Sequence, residues 1–257
     1  MTNTLFIGKV YHRFDELPST NDWAVELLSK SKPPEGTVVR ADSQSAGRGQ
    51  FGSRWVSSPG KNLTLSVILR PTWLSVSAQF YLSMAVAVAL RDLLEDKVPS
   101  TLHLPTLQIK WPNDIYLNTH KVAGILIQNT LSGQQLQASV VGIGLNVNQM
   151  EFDTSLPNPT SMALAFGQYF DLDEVAERLF ECLEQRYLQL KSGGGSAIKA
   201  EYERHLSLAN NPARFVRTAD GVEFTGIIRG VTEGGRLRIE TDAGEETFEV
   251  KELRLIV

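Results

Sequence analysis

Apolar residues fall along this chain in two rhythms, and the alternation between them sketches a fold. Trp23, Ala24, Leu27 and Leu28 recur at helical spacing behind Ser19-Thr20-Asn21, whose short polar side chains suit a helix N-cap. The spacing predicts a helix to about Ser31. Residues 36–42 form a β-branched run, and residues 62–70 alternate Leu63, Leu65, Val67 and Leu69 against polar or smaller neighbours, the period of a half-buried strand. Residues 76–94 predict a long apolar helix. Short strands follow over 107–111, 115–117, 122–128 and 137–147, with turns at Pro112-Asn113-Asp114 and near 118–120. Such spacing predicts a mostly antiparallel sheet. Apolar positions 172, 175, 176, 179, 180, 183, 187 and 190 make 172–190 a strongly amphipathic helix.

Ser192-Gly-Gly-Gly-Ser196 reads as a flexible break before one more helix to about Leu208. Beyond Asn210 the rhythm shortens to strands at 213–217, 223–230, 236–240, 246–250 and 253–257, parted by turns at 219–221, 233–235 and 242–244. Five short strands there predict a small β-barrel of the SH3 type. The expected class is α+β: a mixed, mostly antiparallel sheet with helices packed on it over 1–208, and a small barrel over 209–257.

Bulk properties narrow the partners. With 257 residues the chain can bury a large core. A net charge of −4 and a pI near 5.7 give no general attraction for nucleic acid. The N-terminus lacks the apolar stretch of a signal peptide, and the apolar region 85–94 is interrupted by Arg91 and Asp92, so a cytoplasmic chain with no membrane partner is expected. Cys182 is the single cysteine, which excludes an intrachain disulfide or a thiolate metal cluster. Its neighbours Leu179, Phe180 and Leu183 make it a small buried hydrophobe.

Three stretches could carry chemistry. Gly47-Arg48-Gly49-Gln50-Phe51-Gly52 matches G-x-G-x-x-G, but Pro59 and Gly60 follow and no helix opens behind Gly52. A strand stands where an acidic residue would be needed, so the dinucleotide-binding reading fails. A long polar loop between two strands remains, carrying Arg48, Arg54 and Trp55. In the second stretch, Lys110-Trp-Pro-Asn-Asp114 and Lys121 put two lysines, an asparagine and an aspartate across one hairpin. Anion sites and merely charged hairpins share that arrangement. Third, Gly142 and Gly144 interrupt an apolar strand ending in Asn146 and Asn148. Glycines weaken a strand unless something approaches its backbone closely. The amides need partners in a ligand, a turn or a neighbouring strand.

Together S19-T20-N21, Q44, G47-R48-G49, W55, K110-W-P-N-D114, K121-V-A-G124 and G142-I-G-L-N146 resemble the catalytic domain of biotin–protein ligases, in the right order over roughly residues 10–190. The segment 210–257 is similar to that family's C-terminal domain. The resemblance implies a class II synthetase-like catalytic domain that makes biotinyl-5′-AMP from biotin and ATP with Mg²⁺. The biotinyl group then passes to one lysine of a biotin carboxyl carrier protein, such as that of acetyl-CoA carboxylase. It implies Arg48, Lys110 and Lys121 as catalytic cations, because joining a carboxylate to a phosphate brings two anions together. Biotin contacts are implied at Ser19, Thr20, Asn21, Gln44, Arg48, Gly49, Gln50, Lys121 and Gly124. Trp55, Asn113, Asp114 and Asn146 are the implied nucleotide contacts. The resemblance names no metal ligand.

Two departures accompany it. Many members carry GRGRRG, whereas Gln50 and Phe51 stand here. Others begin with a helix-turn-helix domain; here eighteen residues precede Ser19, so no DNA-binding role is expected. A homodimer through the sheet is compatible with the sequence. The competing functions are a lipoate or octanoate ligase on a similar fold and a biotin sensor without catalysis.

Overall fold

The computed structural model describes residues 3–99 and 105–256. A seven-stranded sheet organises the first part of the chain. It comprises β1 (Tyr11–Leu17), β2 (Val38–Gln44), β3 (Leu63–Leu69), β4 (Leu107–Lys110), β5 (Asp114–Leu117), β6 (His120–Ser132) and β7 (Gln135–Leu145), in the spatial order β1-β2-β3-β7-β6-β5-β4. β1 and β2 are parallel and every other neighbouring pair is antiparallel. The expected mixed, mostly antiparallel α+β architecture is present.

Helices α2 (Phe80–Asp96) and α4 (Leu172–Lys191) pack with one sheet face into the main core, while α1 (Thr20–Lys30) lies on the opposite face. This layering corrects the half-buried reading of β3, all seven of whose residues are buried. Leu63, Leu65, Val67 and Leu69 enter the core beneath α2 and α4, whereas Ile68 joins Val39, Ala41, Val140 and Ala24 beneath α1. Alternation counted one covered face; the fold covers both. Strand β1 has no counterpart among the sequence expectations, because it is an edge strand with exposed charged positions and weak apolar alternation. The short α3 (Met162–Phe166) was likewise unanticipated.

The glycine run after α4 is a turn rather than a linker. Gly193 adopts φ 90°, and α5 (Gly195–Arg204) already begins within the run. A Cβ at Gly194 would stand 2.7 Å from the Gln189 carbonyl oxygen. Glycine here lets one helix fold back tightly on another.

Glu184 of α4, only 6% exposed, ties down the start of the chain. Its carboxylate accepts from the backbone N–H groups of Leu5 (2.5 Å), Phe6 (2.8 Å) and Ile7 (3.0 Å). Glu184→Ala would strand three donors and is expected to cost about 2–4 kcal/mol. In urea titration the midpoint should fall with an unchanged slope; an unmoved midpoint would contradict this role.

The C-terminal part is a five-stranded antiparallel sheet of β8 (Pro212–Arg217), β9 (Glu223–Val231), β10 (Leu237–Thr241), β11 (Gly244–Phe248) and β12 (Leu253–Ile256), in the order β11-β10-β9-β8-β12. Phe215, Ile228, Val231, Leu237, Ile239 and Phe248 belong to the same apolar cluster as the main core. The connecting segment runs parallel beside β4: Ile109 N–H donates to the His205 carbonyl (2.8 Å), and Ser207 N–H donates to the Ile109 carbonyl (2.9 Å). Farther on, Asn210 N–H reaches the Ile228 carbonyl at 3.1 Å. The two sheets are thus stitched together through 205–210.

Candidate active site

The site lies on the α1 face of the sheet, in a cavity of about 160 Å³ above β3, β7 and β6. Helix α1 begins at its wall. Ser19 caps the helix by accepting from Asp22 N–H at 3.3 Å, so the positive end of the helix dipole faces the cavity. Thr20 N–H donates to Gln44 Oε1 (2.8 Å), bringing the end of β2 to the helix.

Asn21 is held from three sides. Its Nδ2 donates to the Leu126 carbonyl (3.2 Å) and Gln128 Oε1 (3.3 Å), while Ser66 Oγ lies 2.6 Å from its Oδ1. Gly142 makes this possible, since a Cβ there would fall 2.2 Å from Asn21 Oδ1. Gly124 and Gly144 are cross-strand partners. A Cβ at Gly144 would meet the Trp55 indole at 2.3 Å, and one at Gly124 would meet it at 3.2 Å. Both glycines of the interrupted strand therefore serve close approach: Asn21 over one, Trp55 over the other.

The glycine-rich loop joins β2 to β3 and folds on itself. Trp55 N–H donates to the Gly47 carbonyl (3.0 Å), Gly49 N–H donates to the Ser53 carbonyl (2.7 Å), and Arg48 pairs with Arg54. No helix opens behind Gly52; a single 3-10 turn spans Gln50–Gly52. The Gly49 amide is thus already engaged. Arg48 forms an ion pair with Asp22 of α1, and both are about half exposed.

Opposite the loop, Lys121 Nζ sits 2.7 Å from Asp114 Oδ1 and 5.8 Å from the centroid of the Trp55 ring. Lys121, Asp114 and Trp55 all line the cavity. The Trp55 indole N–H is buried without a hydrogen-bond partner among the described residues. Asn113 locks its turn by donating to the Ile125 carbonyl (2.7 Å) and accepting from Ile125 N–H (2.9 Å).

Of the residues expected from sequence, Ser19, Thr20, Asn21, Gln44, Arg48, Gly49, Gln50, Trp55, Asn113, Asp114, Lys121 and Gly124 share this cavity. Lys110 does not line it. Opposite Asp114 on β4, Lys110 faces Tyr116, with Nζ 3.4 Å from the hydroxyl and 5.2 Å from the ring centroid. Burial, reinforced by Asp114, raises the Tyr116 phenol above its ordinary pKa. Asn146 also lies outside the lining: its Nδ2 donates to the Thr160 carbonyl at 2.9 Å, while its buried Oδ1 has no partner among the described residues. Ser66 and Gln128 escaped sequence reasoning; a serine within the apolar run of β3 was the available signal. Cys182 is buried in α4, and burial pushes its thiol up to about 11, consistent with a packing role.

Residues 13–146 match the biotin/lipoate A/B protein ligase family. The chain belongs to this family. It is 35% identical over 240 residues to the bifunctional ligase/repressor BirA of Bacillus subtilis, covering 91% of this chain and 70% of that protein. It is also 31% identical to the biotin–[acetyl-CoA-carboxylase] ligase of Paracoccus denitrificans, over 92% of this chain and 98% of the relative. Among solved structures, the biotin protein ligase of Aquifex aeolicus in complex with biotin and ATP superposes with a TM-score of 0.77 at 26% identity, covering 96% and 99% of the two chains.

The cavity lining combines Ser19, Thr20 and Asn21 at the start of α1 with the cations Arg48, Arg54 and Lys121. Among the described residues, no group of three His, Cys, Asp or Glu could hold a metal ion. Among these residues, too, no helix is long and apolar enough to cross a membrane.

Proposed function

We propose that this protein is an ATP-dependent biotin–protein ligase. Biotin carboxylate attacks the α-phosphorus of ATP, the bond to the β-phosphate breaks, and pyrophosphate leaves. A lysine amine of a biotin carboxyl carrier protein then attacks the biotinyl carbonyl of the adenylate and AMP departs. The observation that carries this reading is the presence of Arg48, Arg54 and Lys121 in the lining of one cavity together with a hydrogen-bonded network of Thr20, Asn21 and Gln44. The cations offset the repulsion between carboxylate and phosphate. The hydrogen-bonding wall suits the ureido ring of biotin, whose polar groups an apolar pocket would leave unpaired.

In this assignment Ser19, Thr20, Asn21, Gln44, Gly49, Gln50 and Gly124 surround biotin, while Lys121 and Arg48 face the carboxyl–phosphate junction. Trp55, Asn113 and Asp114 attend the nucleotide. The unpaired Asn146 Oδ1 is an acceptor available to a nucleotide reached past the strand end. Lys110, on β4 beside Asp114, suits the polyphosphate tail rather than the reacting carboxyl. A resident Mg²⁺ cage does not fit: among the described residues Asp114 is the one carboxylate lining the cavity, and Lys121 already pairs with it. Mg²⁺ entering on ATP needs few protein ligands.

We read residues 209–257 as an SH3-like domain appended to a catalytic domain over 1–208. Support comes from the ring cluster of Phe215, Phe224 and Phe248, with Phe215 tilted against Phe224 at 5.6 Å and Phe224 stacked on Phe248 at 5.8 Å. The deciding experiment is mass spectrometry of a biotin carboxyl carrier domain incubated with this protein, ATP, Mg²⁺ and biotin. A biotin-sized gain on one lysine is expected, with none when lipoate replaces biotin. Modification by lipoate would move the assignment within the family, and no modification by either would favour a sensor.

A further inference from the structure

Phe51 and Lys251 meet across the gap between the glycine-rich loop and the C-terminal sheet. The Lys251 ammonium stands 4.4 Å from the centre of the Phe51 ring, inside cation–π range. Phe51 occupies the middle of the turn Gln50–Gly52, and Lys251 lies between β11 and β12. Both adopt left-handed backbone, with φ 54° and 75°. Residues with a Cβ rarely hold that conformation unless their surroundings fix it. Phe51 is 59% exposed, so burial of its ring does not supply the fixing force.

Placement gives the contact a consequence. Gln50 lines the active-site cavity, so successive residues of one turn face the cavity and the C-terminal sheet. Lys251 also borders a groove of about 200 Å³ with Trp111, Leu208 and Leu253. The Trp111 indole N–H donates to the Gly235 carbonyl at 2.8 Å, and Tyr202 O–H donates to the Pro112 carbonyl at 3.3 Å. Through the Gly235 carbonyl the C-terminal sheet is fastened to the turn that leads directly into Asp114, and α5 grips the same turn through Tyr202.

We infer that Phe51 and Lys251 are positioning residues that hold the glycine-rich loop over the site, with the C-terminal sheet as its anchor. The consequence for catalysis rests on the adenylate reading above. A mixed anhydride is lost to water or by escape while its cover is open, so its loss follows the open fraction of the loop. The contact uses side chains that stand outside the reacting atoms.

Two measurements on the full-length protein test this. In the ligand-free protein, amide exchange across 47–55 should quicken roughly two- to fivefold in Lys251→Met and in Phe51→Ala, the size expected for an exposed cation–π contact. The double variant should exceed neither single variant, and Lys251→Arg should restore the original protection. With biotin and ATP supplied, the same variants should lose biotinyl-adenylate to solvent two- to fivefold faster. Unaltered exchange in Lys251→Met, or additive effects in the double variant, would overturn the inference. If exchange responds as expected but the unsubstituted protein forms no adenylate, the ligase reading fails and the loop contact stands.

Discussion

Lys121→Ala is expected to slow biotinyl-adenylate formation by roughly two to three orders of magnitude, the loss typical when one preorganised charge partner is removed from a reacting centre. Among the described residues Lys121 is the single lysine in the cavity lining, and its ammonium is held between Asp114 and the Trp55 ring. Removing it deletes a cation where two anions must meet. It also leaves the Asp114 carboxylate uncompensated, adding a third negative charge beside them. Stability should move little, because Lys121 and Asp114 remain 30% and 21% exposed and a partly solvated pair contributes about 1 kcal/mol or less. Biotin-dependent pyrophosphate release measures the first effect and thermal unfolding the second. A variant within tenfold of the parent rate would remove Lys121 from the chemistry. Lys121→Arg should recover only part of the rate, since a planar guanidinium does not reproduce a compact ammonium between a carboxylate and an indole.

The second large effect is expected at a residue with no chemistry of its own. Gly142→Ala puts a methyl group 2.2 Å from Asn21 Oδ1, a separation that neither atom tolerates. Relief requires α1 to lift from the sheet or Asn21 to turn away from Ser66, Leu126 and Gln128. Overpacking and the loss of buried hydrogen bonds together predict a cost of about 3 kcal/mol, or a melting temperature lower by roughly 6–12 °C in a chain of this size. Biotin affinity should fall with it, because Ser19 and Thr20 travel with the helix. Calorimetry and biotin titration of Gly142→Ala read the two effects. Full stability in this variant would mean that helix and strand are not in the contact described. Gly142 does not adopt a left-handed φ, so the penalty arises from space alone.

How far the sequence discloses such a site depends on which signal each residue carries. Helix α1 was legible because Ser19 both caps it and precedes an apolar period, and the glycines of β7 were legible as interruptions of an apolar strand. Neither signal says what approaches those glycines. Asn21 and Trp55 are distant from them along the chain, and only the crossing of α1 over the sheet brings them there. The expectation that Lys110 joins the catalytic cations rests on the motif, which puts it beside Asp114; the cross-strand position brings its ammonium near Tyr116. β3 was misjudged, since alternation reports one covered face and α1 supplies the second. β1 left little trace because an edge strand rich in charge does not alternate strongly.

The strip 205–207 running beside β4 bears on how the chain can be shortened. A truncation upstream of it would strip the outermost strand of its companion, presenting unpaired peptide groups together with an uncovered Trp111. Such a margin recruits further copies edge to edge, so a fragment ending near Arg204 is expected to precipitate rather than persist as a smaller working enzyme.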